Sequence, residues 1–187
     1  MVPNLYLSVS VTTRARRPTE REGVDYVFVD DVEFDRMIEA GELLEWAEVF
    51  AARYGTPSEP IRRILETGRS ALLEIDVQGA RQVRERVPEA VLILLEPPSL
   101  EELRRRLRHR GTEDAERLER RLATAEQELE AGTWFDHRVV NDDLERASSQ
   151  VAAIIGETQS PPGQSSGSNT SAHSPPGSIA TEGPSDP

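Results

Sequence analysis

Apolar and polar positions follow two rhythms along this chain. Leu5-Tyr6-Leu7-Ser8-Val9-Ser10 alternates apolar and small polar residues with period two, the pattern of a strand. Tyr26–Val29 and Leu43–Phe50 read as short strands flanking a helix over Val32–Ala40, with Asp31 as its N-cap and Gly41 just past its end. Ile61–Thr67 reads as a helix closed by Gly68. Ser70–Val77 and Ala90–Leu95 are apolar and short enough for buried parallel strands, joined by a crossover helix over Gly79–Val87. Pro97-Pro98 forces a break, after which Ser99 and Glu102 form a capping box for a helix over Leu100–His109. A long charged helix is expected over Glu113–Glu130, a strand over Arg138–Val140 and a closing helix over Leu144–Ile155. Strands alternating with helices define the fold class as α/β, with a parallel sheet covered on both faces.

The rhythm stops near Gly156. Of the 32 residues from Gly156 to Pro187, 19 are Ser, Pro or Gly, and the apolar ones are Ala172, Ile179 and Ala180. Such a segment buries too little surface to offset its ordering entropy. Residues 1–155 are therefore expected to form one domain and residues 156–187 a disordered tail, an interaction or linker segment open to a protein partner.

Composition narrows the chemistry. The 187 residues carry a net charge of −12 and no cysteine. That excludes disulfides and thiolate metal sites, points to a reducing, cytoplasmic compartment, and argues against nonspecific nucleic-acid binding. No apolar run approaches the length of a membrane span. All 22 basic residues are arginine, so a Schiff-base or phosphate-binding lysine is not available from these residues.

Several clusters are candidates for chemistry. Ser10-Val11-Thr12-Thr13-Arg14-Ala15-Arg16-Arg17 leaves the first strand with hydroxyls and guanidiniums, a suitable anion site, although a solvated basic loop fits the same residues. Tyr26 and the Arg53-Tyr54-Gly55-Thr56 run offer hydroxyls for a phosphate cage, against half-buried packing. Glu45 is a candidate base reader, because a carboxylate matches the adjacent N1–H and N2–H donors of guanine and adenine has no such pair; a surface strand position is the alternative. Glu74 and Asp76 stand at the end of an apolar strand, where open α/β sheets place ligands, and suit a ribose hydroxyl or a hydrated Mg²⁺. The arginines from Arg104 to Arg121 are mostly explained by pairing with Glu101, Glu102, Glu113, Glu116 and Glu119, with Arg110 and Arg121 left over. The histidines have no metal-ligand spacing.

In order, the segments SVSVTTRARRP, GVDYVFV, GELLEWAEV, RYGT, LEIDVQGA, PPS, RRLRHRGT and VNDD resemble the guanylate kinase family over about Leu5–Ile155. The resemblance implies a P-loop NTPase-type parallel sheet flanked by helices. It also implies a GMP-binding region about 10–64, with an insertion around Tyr26–Ile64, and a lid about 100–122. The implied reaction is ATP + GMP giving ADP + GDP with Mg²⁺, with GMP and ATP as partners and neither nucleic acid nor membrane involved. Ser10, Arg14, Arg17, Tyr26 and Tyr54 match positions around the GMP phosphate. Glu45 and Thr56 match guanine-reading positions. Glu74 and Asp76 match acidic positions near the nucleoside and Mg²⁺, and no protein side chain is implied as a direct metal ligand. Arg110 and Arg121 match lid arginines that stabilise the transferring phosphoryl group, and Asn141 matches the adenine side.

The family's first strand, its G-x-x-x-x-G-K-[ST] loop and the first helix have no counterpart in these residues. The expectation is therefore weakened or lost GMP binding and near-zero kinase activity for the 187 residues alone. Three accounts are open. Translation starting upstream of Met1 would restore a kinase, an account favoured by the retained acceptor and lid motifs. A short form would bind GMP or a partner protein without catalysis. In the third, another polypeptide supplies the loop.

Overall fold

The computed structural model of the chain describes residues 2–109, 119, 122–124 and 132–159. Eight strands and five helices order the description: β1 (Leu5–Leu7), β2 (Val11–Thr12), β3 (Val27–Phe28), α1 (Asp31–Glu39), β4 (Leu43–Val49), β5 (Ala52–Pro57), α2 (Ser58–Glu66), β6 (Ser70–Leu72), α3 (Val77–Arg86), β7 (Ile93–Glu96), α4 (Leu100–His109), β8 (His137–Val140) and α5 (Leu144–Thr158). The α/β class holds. Two parallel pairs, β1–β6 and β7–β8, carry the parallel character, while a separate sheet in the order β3-β2-β5-β4 is mixed. In that sheet β2 runs parallel to β3 and antiparallel to β5, and β4 is an edge. Among the described residues no helix is long and apolar enough to cross a membrane.

The strand expected over Leu5–Ser10 ends at Leu7. β1 pairs with β6, and three residues after Ser8 the chain enters the other sheet as β2. Strand β5 has no counterpart in the sequence reading. Its hairpin with β4 turns through Phe50 and Ala51, both at positive φ (52° and 65°), as a two-residue primed turn requires. Neither residue is the Asn or Gly that normally announces such a turn, so the signal was missing. The strand expected over Ser70–Val77 stops at Leu72, because Asp76 caps α3 by accepting from the Gly79 N–H at 2.8 Å.

Helix ends show which local signals matter. Asp30, not Asp31, caps α1, accepting from the Glu33 N–H at 2.8 Å. Asp31 instead begins the helix and pairs with Arg53. Gly41 and Gly68 follow α1 and α2 at φ 66° and 76°, the left-handed geometry that stops a helix. Half of the capping box forms at α4: Ser99 Oγ accepts from the Glu102 N–H at 3.1 Å. The Glu102 carboxylate is taken by Arg105 and Arg106, whose hydrogen bonds, Arg105 first, hold its pKa down to about 2. Helix α5 runs on to Thr158, so the composition break at Gly156 falls within its last turn. The expected helix over 113–130 and the rest of the tail lie outside the described residues, apart from helical positions at 119 and 122–124.

Two cores divide the molecule. Val11, Phe34 and Leu43 pack with Val27, Met37 and Trp46 under α1. Ala80, Val83 and Leu92 pack with Leu44, Leu73, Ile75 and Trp134 under α3. Strand β4 serves both through an irregularity in its pairing between Leu43 and Glu45. Leu43 and Trp46, three apart, share the first core, which strict strand alternation forbids and one extra residue at a bulge permits. β6 and β7 each keep an edge without a strand partner among the described residues, and both line an apolar cavity of about 460 Å³.

The cap assignment is testable. Asp30→Ala is expected to cost about 1 kcal/mol in denaturant unfolding. Asp31→Ala, which removes only an exposed ion pair, is expected to cost about half of that or less. Equal losses would show that Asp30 does not cap the helix.

Candidate functional site

A cavity of about 410 Å³ opens between the four-stranded sheet and the start of α3. Its walls include Ser10, Tyr26, Glu45, Tyr54, Glu74 and Asp76, so residues far apart in the chain converge there. Convergence follows from the pairing. β2 places Thr12 opposite Tyr54 on β5 and Phe28 on β3, which brings Tyr26 and Tyr54 into edge contact at 6.0 Å between ring centres. Burial beside Tyr54 and Glu74 pushes the Tyr26 phenol above its ordinary pKa, desolvation being the main cause.

Glu45 and Thr56 are paired in register across β4 and β5, and both are buried, Glu45 at 4% exposure and Thr56 at 0%. The Thr56 hydroxyl donates to Glu45 Oε1 at 2.6 Å. Desolvation dominates and raises the Glu45 pKa against that hydrogen bond, with the charge of Asp76 adding to the rise. A buried carboxylate held by Thr56 alone has acceptor capacity to spare at the cavity that it lines.

Arg14 approaches from the loop after β2. Its guanidinium sits 5.4 Å from the Tyr26 ring centre and is clamped by Glu20, with Nη2 to Oε1 at 2.7 Å and Nη1 to Oε2 at 3.2 Å. The pair raises the arginine's pKa and lowers that of Glu20. Glu20 was missed by the sequence reading, since an acid six residues from an arginine is an unremarkable spacing. Arg17 is mostly exposed, at 71%, and is tied to Glu20 by backbone hydrogen bonds in both directions and by an ion pair at 4.0 Å. Arg53, within the RYGT run, pairs with Asp31 and Asp35 and stacks on Phe34, and so serves the core rather than the cavity. Asn141 lies just past β8 with its N–H on the Glu96 carbonyl, and does not line this cavity. Arg110 and Arg121 lie outside the described residues.

Asp76 does double duty at the cavity floor, capping α3 through Oδ1 and accepting from the Gln78 amide at 3.2 Å. Glu74 is exposed beside it. The described residues gather no group of three or more His, Asp or Glu side chains able to hold a metal ion.

The family model for guanylate kinase matches residues 4–158. The guanylate kinases of Leifsonia xyli and Thermobifida fusca are 59% and 54% identical over 154 and 153 residues, each alignment covering 82% of this chain. A crystal structure of guanylate kinase from Anaplasma phagocytophilum superposes with a TM-score of 0.72 at 41% identity, over 83% of this chain and 77% of that one. The chain belongs to the guanylate kinase family. It spans 61% of the length of the Leifsonia protein and 78% of the Thermobifida one.

Burial of Glu45 predicts a pH-dependent stability. With the folded-state pKa raised, its ionisation disfavours folding at pH values above that pKa, and the penalty vanishes once the group is protonated. Glu45→Gln is therefore expected to raise the melting temperature at pH 7, the gain shrinking as pH falls through the raised pKa. A gain independent of pH, or a loss at pH 7, would contradict it.

Proposed function

We propose that these residues form the GMP-binding part of an ATP:GMP phosphotransferase. One observation carries the reading: a buried carboxylate, already bonded to a threonine hydroxyl, turns its remaining acceptor capacity into a cavity walled by two tyrosines, one of which carries an arginine over its ring. Guanine's N1–H and N2–H are two parallel donors and suit that carboxylate, while adenine presents an acceptor at N1 and leaves the buried oxygen unpaired. Thr56 holds the acid's orientation. Ser10, Arg14, Tyr26 and Tyr54 supply donors for the phosphate, with Arg17 reaching it from the exposed loop. Arg14 exchanges Glu20 for the phosphate dianion when GMP binds, trading one bidentate partner for another.

Glu74 and Asp76 suit a nucleoside hydroxyl, and they fit a Mg²⁺ that keeps most of its own water, since only two carboxylates are present and Asp76 is committed to its helix. Bound there with ATP, such an ion would neutralise developing phosphate charge. Asn141 is assigned to the adenine side and Arg110 and Arg121 to the transferring group, on resemblance alone. Domain limits at 1–155 and 156–187, a cytoplasmic location, and a tail that meets a protein partner complete the reading. The 187 residues contain no lysine. The electrostatic stabilisation that a phosphate lysine and its loop give to in-line transfer is therefore not supplied by them.

Nucleotide titration tests the reading. Glu45→Gln is expected to weaken GMP binding by about tenfold and AMP binding far less, because one acceptor becomes a donor facing N–H groups. Equal losses for both nucleotides would mean that Glu45 does not read the base. The 187-residue chain by itself is expected to show no turnover of ATP and GMP above background, and steady turnover would refute that part.

A further inference from the structure

Helix α3 holds β4 along a single face. Gly79, Gln82 and Arg86 follow the three- and four-residue spacing of one helix side, and each meets the strand's backbone or Glu45 itself. The Gln82 amide takes both polar groups of Trp46, donating Nε2 to its carbonyl at 2.6 Å and accepting its N–H at 3.2 Å. In doing so it substitutes for a neighbouring strand at the sheet edge. Arg86 Nη1 donates to the Leu43 carbonyl at 2.9 Å and to the Leu44 carbonyl, the two groups beside the pairing irregularity. That irregularity puts Leu43 into one core and leaves Glu45 on the cavity side. At Gly79 the helix has no side chain to spare: a Cβ there would stand 3.0 Å from Glu45 Cδ and closer still to Oε2.

We propose that Gly79, Gln82 and Arg86 are positioning residues that set where the Glu45 carboxylate sits, and thereby the choice of purine at the site. Gly79 admits the carboxylate against the first turn of the helix. Gln82 fixes the height of the strand, and Arg86 fixes the irregularity that turns Glu45 inward. The same helix starts at Asp76, so the base-reading acid and the acid at the cavity floor are located by one rigid element. The consequence for base choice rests on the guanine-reading role given to Glu45 above; the positional claim does not.

The test uses the full chain with Gly79→Ala, Arg86→Ala and, as a control on the exposed helix side, Glu85→Ala. Helix propensity favours alanine at 79, but its Cβ collides with a buried, hydrogen-bonded carboxylate, so Gly79→Ala is expected to lose some stability and is read under conditions where it is folded. Two readouts are taken. The Glu45 carboxyl titration, followed by carbon-detected NMR without nucleotide, is expected to move toward the ordinary carboxylate range in Gly79→Ala and to stay put in Glu85→Ala; Arg86→Ala also removes a positive charge that favours the ionised acid, so that variant is read by the affinity ratio. The ratio of GMP to AMP affinity by calorimetry is expected to fall about tenfold in the first two and to hold in the control. An unmoved Glu45 titration in folded Gly79→Ala overturns the proposal. A moved titration with an unchanged ratio, together with an unchanged ratio in Glu45→Gln, upholds the positioning and overturns the base-reading role. A changed ratio in Glu45→Gln alone overturns the link to purine choice.

Discussion

Enclosing a carboxylate is unfavourable unless its oxygens find partners, and the architecture around Glu45 is arranged around that demand. The acid is desolvated by the floor of the cavity and by α3, and is met by one hydroxyl. To meet that hydroxyl, β4 and β5 must pair in a register that sets residue 45 against residue 56. For Glu45 to face the cavity while Leu43 faces the α1 core, β4 must carry an extra residue. For the extra residue's carbonyls to be satisfied, a donor must come from outside the sheet, and Arg86 is that donor. Sheet register, strand irregularity and helix docking are thus consequences of one polar group placed inside.

The phosphate end follows a different logic. Arg14 is exposed enough to exchange partners and is held ready by Glu20 and by the face of Tyr26. A paired arginine that keeps its geometry without ligand loses little side-chain freedom when an anion replaces its acid, so the acid acts as a placeholder. The contrast with Glu45 is in solvent access: that acid is 4% exposed, whereas the Arg14 side chain keeps 20% of its surface in water.

Much of this was legible in the order of residues, and what was not has physical reasons. Helices announced themselves through apolar spacing and through Gly41 and Gly68 at their ends. Motif residues of the cavity were readable because hydroxyls, arginines and isolated acids beside apolar strands are uncommon there for packing reasons. Strand β5 was hidden by a turn made from Phe50 and Ala51, where tertiary pairing imposes a backbone that neither residue prefers. The cap of α1 was misplaced by one residue because two aspartates stand side by side and only geometry distinguishes the one with extended backbone. Glu20, Gln82 and Arg86 left no trace, since their partners are backbone groups or distant side chains, and a glutamine on a helix says nothing about which strand it will meet.

The cavity between β6 and β7 has a consequence of its own. Its strand edges carry peptide N–H and C=O groups that among the described residues meet no other strand, while its walls are made by side chains such as Leu72, Leu73, Leu92 and Ile93. Peptide edges want water and aliphatic walls expel it, so the groove cannot satisfy both with solvent alone. An extended segment of polypeptide answers both demands at once, pairing along its backbone and covering the walls with its side chains. In the terms of colloid chemistry, this groove is an adhesive face of the molecule.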